Sequence, residues 1–277
     1  MKPEIFKKII SKKEFSHLPR DDVEIAWKHF EKRQVSEEEK IRLTRELLHK
    51  VYSSFVSQKI LSLKNKPEDW ILRKHLSTRE RLSYFEKIYL KIFSFLKKDI
   101  DKISVIDLGA GINGFSYKIM EKVLRASNSE RDIRKSKINY FAVESVGQLV
   151  ELMNNYFAKE KISGKAYCLS LFDLEKIKKL IKKIKERKII FMFKIIGPLE
   201  LMQRDFSKKL ISEIFSVLNE KDFVVLSFAT KTMHKRLRFK FKRNWIINFL
   251  KDNFEILEDF EIGGERYFVV KKRIRNI

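Results

Sequence analysis

The sequence predicts an α/β fold: a Rossmann-like sheet of seven strands preceded by a helical subdomain. Three features carry that prediction. From Ile103 onward, short apolar runs alternate with charged helical stretches. One of those runs, Val105-Ile106-Asp107-Leu108, opens directly into a glycine-rich turn, Gly109 to Gly114. The last two strand-like runs are separated only by Gly263 and Gly264, a link short enough to demand an antiparallel hairpin.

The first hundred residues lack strand-like alternation. Val23, Ala26, Trp27 and Phe30 fall at helical spacing within 21–34, and Leu43, Leu47, Val51 and Phe55 repeat the pattern within 36–58. Ser36 with Glu39, and Ser77 with Glu80, have the spacing of capping boxes. The second box precedes an apolar stripe of Leu82, Phe85, Tyr89, Ile92 and Leu96. These stripes are expected to be core, because a helix of a globular protein buries one face. The chain therefore divides, by texture alone, into a helical subdomain over 1–100 and an α/β domain over 101–277.

Five runs are candidate parallel strands: ISVIDLG, INYFAVE, AYCLSL, KIIFMFKI and DFVVLSFA. FEILEDFEI and ERYFVVKK supply the hairpin and bring the total to seven. The sequence contains neither an internal repeat nor a Gly/Ser-rich or Pro-rich linker.

Composition narrows the function. The chain has 277 residues, 44% of them hydrophobic, enough for a sizeable core. No apolar run approaches the roughly 20 residues of a membrane span, and the N-terminus lacks the pattern of a signal peptide. A cytoplasmic protein without a membrane partner is expected. Cys168 is the single cysteine, and five histidines are scattered without ligand spacing, so no metal site is expected. Sixty-one basic against 37 acidic residues give a net charge of +24, which points to a polyanionic partner. Nucleic acid is the first candidate and an anionic membrane the second. A lysine-rich composition without any binding role is the plain alternative.

Glycines in the turn after Leu108 let backbone approach a ligand closely, although a tight strand-to-helix turn needs glycine for steric reasons too. The next candidate strand ends in Glu144, followed by Ser145, where doubly wound folds place a carboxylate that accepts hydrogen bonds from ribose hydroxyls. Asp173, after the third strand, is placed to meet an adenine amino group. Each carboxylate also has a plain reading as an acid favoured at a helix N-terminus. Gly109, Gly111 and Gly114 match the G-x-G-x-x-G spacing of dinucleotide enzymes, which makes a dinucleotide the rival ligand. The closing hairpin, which reverses direction beside the parallel strands, resembles instead that of the seven-stranded class that binds S-adenosylmethionine.

Four segments resemble the 16S rRNA guanine-N7 methyltransferases associated with aminoglycoside resistance, and the likeness spans most of the chain. They are His75-Leu76-Ser77-Thr78-Arg79-Glu80-Arg81-Leu82, Asp107-Leu108-Gly109-Ala110-Gly111-Ile112-Asn113, Phe193-Lys194 with Pro198-Leu199-Glu200, and Ser227-Phe228-Ala229-Thr230. The resemblance implies an S-adenosylmethionine-dependent methyltransferase fold (Rossmann-like) with an N-terminal helical subdomain. It further implies that Arg79 reaches the cofactor's carboxylate, Glu144 holds the ribose and Asp173 meets the adenine. The turn residues Asp107, Gly109, Ala110, Gly111 and Asn113 and the neighbouring Ser145 complete the cofactor site. Lys194, at cofactor and reaction centre alike, lies with Glu200 near the point of methyl transfer. The residues' plain readings stay open: a helix cap for Ser77, a solvated helix charge for Arg79, an end-of-strand charge for Lys194. The sequence departs from the family's G-C-G-L-N-P turn at Ala110 and Gly114, and carries Glu144 where aspartate is common.

The stretch 231–243 holds Lys231, Lys235, Arg236, Arg238, Lys240, Lys242 and Arg243, with Phe239 and Phe241 between them and no acid. Phosphate contact with aromatic stacking suits that pattern, Trp245 adding a further ring, while a solvated amphipathic helix is the plain reading. Lys8, Lys12, Lys13 and Arg20 are expected to widen an RNA footprint on the helical subdomain. The expected protein is thus a monomer that methylates guanine N7 in the decoding region of small-subunit rRNA, with roles in rRNA processing or resistance. A methyltransferase for another RNA such as tRNA, and a non-catalytic RNA-binding protein on this fold, are the alternatives.

Overall fold

The computed structural model describes residues 1–53, 66–96, 102–126, 137–230 and 243–273. Helices α1 (Pro3–Ile10), α2 (Arg20–Lys28) and α3 (Glu37–Leu48) begin the chain, and α3 runs on into a π-helical turn, His49–Ser53. After α4 (Glu68–Leu72), α5 (Leu76–Arg81) and α6 (Phe85–Phe93) come β1 (Lys102–Leu108), α7 (Tyr117–Ala126), β2 (Lys137–Glu144) and α8 (Gly147–Lys159). The chain continues through β3 (Gly164–Cys168), α9 (Leu174–Lys183), β4 (Arg187–Phe193), α10 (Ile196–Met202) and α11 (Phe206–Val217). It closes with β5 (Phe223–Ala229), α12 (Asn244–Asn253), β6 (Phe254–Ile262) and β7 (Glu265–Lys272).

The sheet has seven strands in the order β3-β2-β1-β4-β5-β7-β6. β1 to β5 are parallel, and β7 runs antiparallel between β5 and β6. Strand order reverses direction between β1 and β4, and ligands of open α/β sheets bind at the carboxyl ends of strands at such a point.

Successive side chains of a strand face opposite layers, and both layers here are apolar. Ile189, Phe191 and Phe193 of β4 join one core cluster, while Ile190 and Met192 join the other. The first cluster also takes in Ile9, Trp27, Leu48 and Ile88 from the N-terminal helices. Packing is therefore continuous across residue 100, where the sequence changes texture. Phe191, fully buried and stacked against Phe193 with ring centroids 4.6 Å apart, sits at that junction. Truncating such a ring costs about 3–5 kcal/mol.

Local differences from the sequence reading have local causes. The helix expected over 21–34 stops at Lys28, and His29 Nε2 meets the Met202 carbonyl at 2.6 Å. Half of the Ser36 box forms: its hydroxyl accepts from the Glu39 amide at 3.2 Å, while the Glu39 carboxylate accepts from Arg42 instead. The Ser77 box does not: His75 is the N-cap of α5, Ser77 lies inside the helix, and its hydroxyl accepts from the Arg81 guanidinium. Leu82–Tyr84 form a 3₁₀ turn, so the stripe from Leu82 to Leu96 is carried by α6 only in part. β3 ends at Cys168, short of the expected Leu171, because Ser170 and Phe172 turn toward α9.

Candidate active site

The carboxyl ends of β1, β2 and β4 open into a cavity of about 850 Å³, its mouth included. Gly109, Ala110 and Gly111 form part of its wall, with Glu144 ending β2 and Ser145 after it, Leu171 and Phe172 after β3, and Lys194 after β4. The N-terminal helices close the other side with Asp22, Tyr52, His75, Ser77 and Arg81. At Gly111, φ is +55° and an added Cβ would stand 2.9 Å from His75 Nε2, so this turn and the start of α5 fit only without a side chain.

Arg81 is 4% exposed and held from several sides. Its Nε donates to the Ser77 carbonyl at 3.2 Å, its Nη2 to Ser77 Oγ at 2.5 Å and its Nη1 to Asn113 Oδ1 at 3.4 Å. Asn113 in turn donates to Asp107 Oδ2 at 2.7 Å, and the Tyr140 hydroxyl donates to the same oxygen. This chain ties the guanidinium to the floor under the glycine turn. Burial opposes the charge of Arg81, but Glu265, 3.7 Å away, leads the groups that hold its pKa above the usual arginine value. Burial also lifts the Asp107 carboxyl to about 6, against the pull of Tyr140 and Asn113.

Lys194 has φ +60°, a conformation that costs a non-glycine residue about 1 kcal/mol and collects at functional sites. Its amide donates to the Ser227 carbonyl at 3.0 Å. Its ammonium lies 2.6 Å from Glu80 Oε2 and 3.0 Å from Glu265 Oε2. Glu265, 2% exposed at the start of β7, thus serves both cations. His75 is kept neutral, its pKa lowered to about 3 by burial and by Arg81 and Lys194.

Glu144 holds the other acidic part of the cavity. One carboxylate oxygen accepts from the Gly111 amide at 2.8 Å and the other from the Val146 amide at 2.9 Å. Burial raises its pKa, and those backbone donors oppose the rise. Two carboxylate oxygens offer about four acceptor positions, and with the Ser145 amide as a third backbone donor capacity remains for one hydroxyl donor. Asp22, 1% exposed on the first turn of α2, accepts from the Tyr52 hydroxyl and, at 3.3 Å, from Ser145 Oγ. Burial pushes its carboxyl up to about 7, against hydrogen bonds from Tyr52, Ser170 and Ser145.

Of the residues singled out in the sequence, Gly109, Ala110, Gly111, Glu144, Ser145 and Lys194 meet in the cavity wall, with Asp107 and Asn113 directly beneath. Three others lie elsewhere. Arg79 is on the exposed face of α5, and Arg81, two residues on, faces the cavity in its place. Asp173 caps α9, accepting from the Lys176 amide at 3.1 Å and pairing with its ammonium at 2.6 Å. Glu200 accepts from the amides of Asp205 and Ser207 at 2.7 and 2.9 Å and so holds the start of α11. Asp22, Tyr52 and Glu265 escaped the sequence reading, and His75 and Arg81 stood in the His75–Leu82 segment without an assigned role. Arg81 was visible in S-T-R-E-R-L, but nothing local distinguishes it from Arg79.

Residues 231–242, with Lys231, Lys235, Arg236, Arg238, Lys240 and Lys242, lie outside the described residues. Arg243 is the N-cap of α12, its guanidinium 4.9 Å from the Phe228 ring centre. Trp245 is 38% exposed with the Lys208 ammonium 5.3 Å from its ring centre. Lys8 pairs with Glu37 at 3.0 Å and Arg20 with Glu24 at 2.8 Å, while Lys12 and Lys13 are exposed. Among the described residues, no three ionisable side chains form a metal cluster and no helix is long and apolar enough to cross a membrane.

No protein-family profile matches the sequence, and no curated protein matches it. Solved structures match it over nearly its whole length. The 16S rRNA methyltransferase RmtF, in complex with S-adenosyl-L-homocysteine, aligns with a TM-score of 0.71 over 99% of this chain and 100% of its own, at 17% identity. The 16S rRNA methylase RmtB aligns with a TM-score of 0.67 over 98% of both chains, at 19% identity. An rRNA methylase from Escherichia coli gives 0.68 over 98% of this chain and 99% of its own, at 18%. At such identities the likeness is one of architecture: the chain has the seven-stranded fold of the S-adenosylmethionine-dependent methyltransferases.

Proposed function

We propose that this chain is an S-adenosylmethionine-dependent methyltransferase that acts in the cytoplasm, as a monomer, on 16S rRNA of the small ribosomal subunit, at a guanine N7 of the decoding region. The observation that carries the reading is one cavity, at the switch point of this fold, that holds a buried carboxylate and a buried guanidinium together. Glu144 has acceptor capacity for a ribose hydroxyl, Arg81 offers a fork for an amino acid carboxylate, and Leu149, Leu171 and Phe172 give an apolar lining for an aromatic base. This donor set fits S-adenosylmethionine. RmtF, solved with S-adenosyl-L-homocysteine, has the same architecture end to end.

The bound cofactor supplies a methyl group on a positively charged sulfur. Guanine N7 carries a free lone pair at neutral pH, so its attack requires placement and no proton removal. The chain's residues then bind, orient and exclude water. Arg81 and Glu144 fix the ligand, the N-terminal helices cover it, and Lys194 is held rigidly at the cavity by Glu80 and Glu265. The excess of positive charge and the basic segment 231–243 favour RNA over a small substrate. That segment is longer and more basic than the resemblance implies, which favours another RNA site, and a different RNA such as tRNA is the second reading.

Transfer of labelled methyl from S-adenosylmethionine to small subunits, naked 16S rRNA and tRNA, with mapping of the modified base, tests the reading. Label at a decoding-region guanine N7 is expected. Label on tRNA moves the target, and no label on any RNA removes the enzyme reading in favour of a binding protein.

A further inference from the structure

Resting on the cofactor assignment above, we propose that Asp22, contributed by the N-terminal helices, is the residue that recognises the adenine of the cofactor by accepting its exocyclic amino group. The position of Asp22 carries this inference. Its carboxyl is wedged between the chain leaving β2 and the chain leaving β3: Ser145 Oγ lies 3.3 Å from Oδ2, and the Ser170 hydroxyl is a further hydrogen-bonding neighbour. With the ribose on Glu144 and the charged groups Arg81 and Lys194 on the switch-point side, the base extends toward β3. There the cavity wall is Leu149, Leu171, Phe172 and Ser145, and Asp22 supplies the carboxyl at that wall.

The acid that follows β3 in sequence, Asp173, is spent on the N-terminus of α9 and does not line the cavity. Asp22 takes the place in space that Asp173 leaves unfilled. A carboxyl that already accepts from Tyr52, Ser145 and Ser170 keeps one of its roughly four acceptor positions for an amino donor. Burial at 1% exposure makes an unanswered acceptor costly there, so a base lacking the amino group is penalised.

The test compares S-adenosyl-L-homocysteine with its 6-desamino purine analogue, each titrated by calorimetry into the full-length protein. The wild type is expected to prefer the adenine ligand by about ten-fold or more. Asp22→Ala, and Asp22→Leu as a variant of similar volume should alanine fail to fold, are expected to bring the two ligands within about two-fold. Asp22→Asn, which keeps a carbonyl acceptor, is expected to retain most of the preference. A merely structural Asp22 weakens both ligands alike, and an unchanged ratio in the alanine or leucine variant overturns the proposal. Failure of the wild type to bind either ligand instead overturns the cofactor assignment, a distinguishable outcome.

Discussion

The two sides of the cavity were written into the sequence in different ways. On the sheet side, Gly109, Gly111, Glu144 and Lys194 each stand at or just past the end of a strand, where a short apolar run announces the strand and its end announces the ligand edge. On the helix side, Asp22, Tyr52, His75 and Arg81 reach the same space only because α2, the π-helical turn and α5 dock there. A strand end fixes its own place in a parallel sheet. A helix fixes only its own face, and which face meets the ligand depends on a docking that the local pattern does not contain.

Glu144→Ala tests the sheet side and has the largest expected effect. It leaves the amides of Gly111 and Val146 without their side-chain acceptor and removes the proposed ribose partner. Affinity for S-adenosyl-L-homocysteine is expected to fall by about 100-fold or more, on the order of 3 kcal/mol, in a calorimetric titration. The comparison with the helix side breaks if this variant binds normally.

Next in size is the pair Arg81→Ala and Arg79→Ala. Arg81→Ala leaves Glu265 with the Lys194 ammonium and the Ser227 hydroxyl as partners and opens the proposed ligand site, and breaking a buried ion pair costs about 3–5 kcal/mol. Chemical denaturation is expected to register a loss of that order, with cofactor affinity down at least about ten-fold. Arg79→Ala, on the exposed face, is expected to change both by less than about two-fold in affinity and 0.5 kcal/mol in stability. Reversal of that order would return the cofactor's carboxylate to Arg79.

These two arginines show where sequence legibility stops. Positions two apart on a helix lie about 200° apart, so only the docked face separates them. The fold itself was legible almost strand for strand: β6 and β7 have the bounds read from the hairpin, and all seven strands occur in the expected chain order. Their spatial order, with β7 inserted between β5 and β6, is a tertiary result. Asp173 and Glu200 show the converse limit. Both sit where a functional acid was expected, yet each accepts from backbone amides that open a helix. For Asp173 this is the plain reading as a helix N-terminal acid, while Glu200, inside α10, reaches forward to the start of α11.

A smaller effect is expected from pH. Asp22 has a folded pKa of about 7, above its ordinary value of 3.8, so the folded state holds the proton more tightly than the unfolded chain. The stability this contributes is fully present below the unfolded value and is lost as pH rises through about 7. Asp22→Asn lacks that titration and is expected to be more stable relative to wild type at pH 8 than at pH 5, by on the order of 2 kcal/mol. Equal differences at the two pH values, measured by denaturant unfolding, would place Asp22 in a wetter site than the structure shows.

The smallest expected effect on the cofactor comes from the basic segment. Charge reversal at Lys235 and Arg236 is expected to weaken RNA binding and flatten its salt dependence by about two in slope, while cofactor affinity stays within about two-fold. Equal loss of both ligands would join functions that the account keeps apart.

The most direct test of a shared site, floored by strand ends and roofed by helices, is a crystal structure with S-adenosyl-L-homocysteine bound. The account predicts the ribose on Glu144, the carboxylate on Arg81 and the adenine beside Phe172 and Asp22. A ligand held by Arg79, or seated with no contact to α2 and α5, would contradict it.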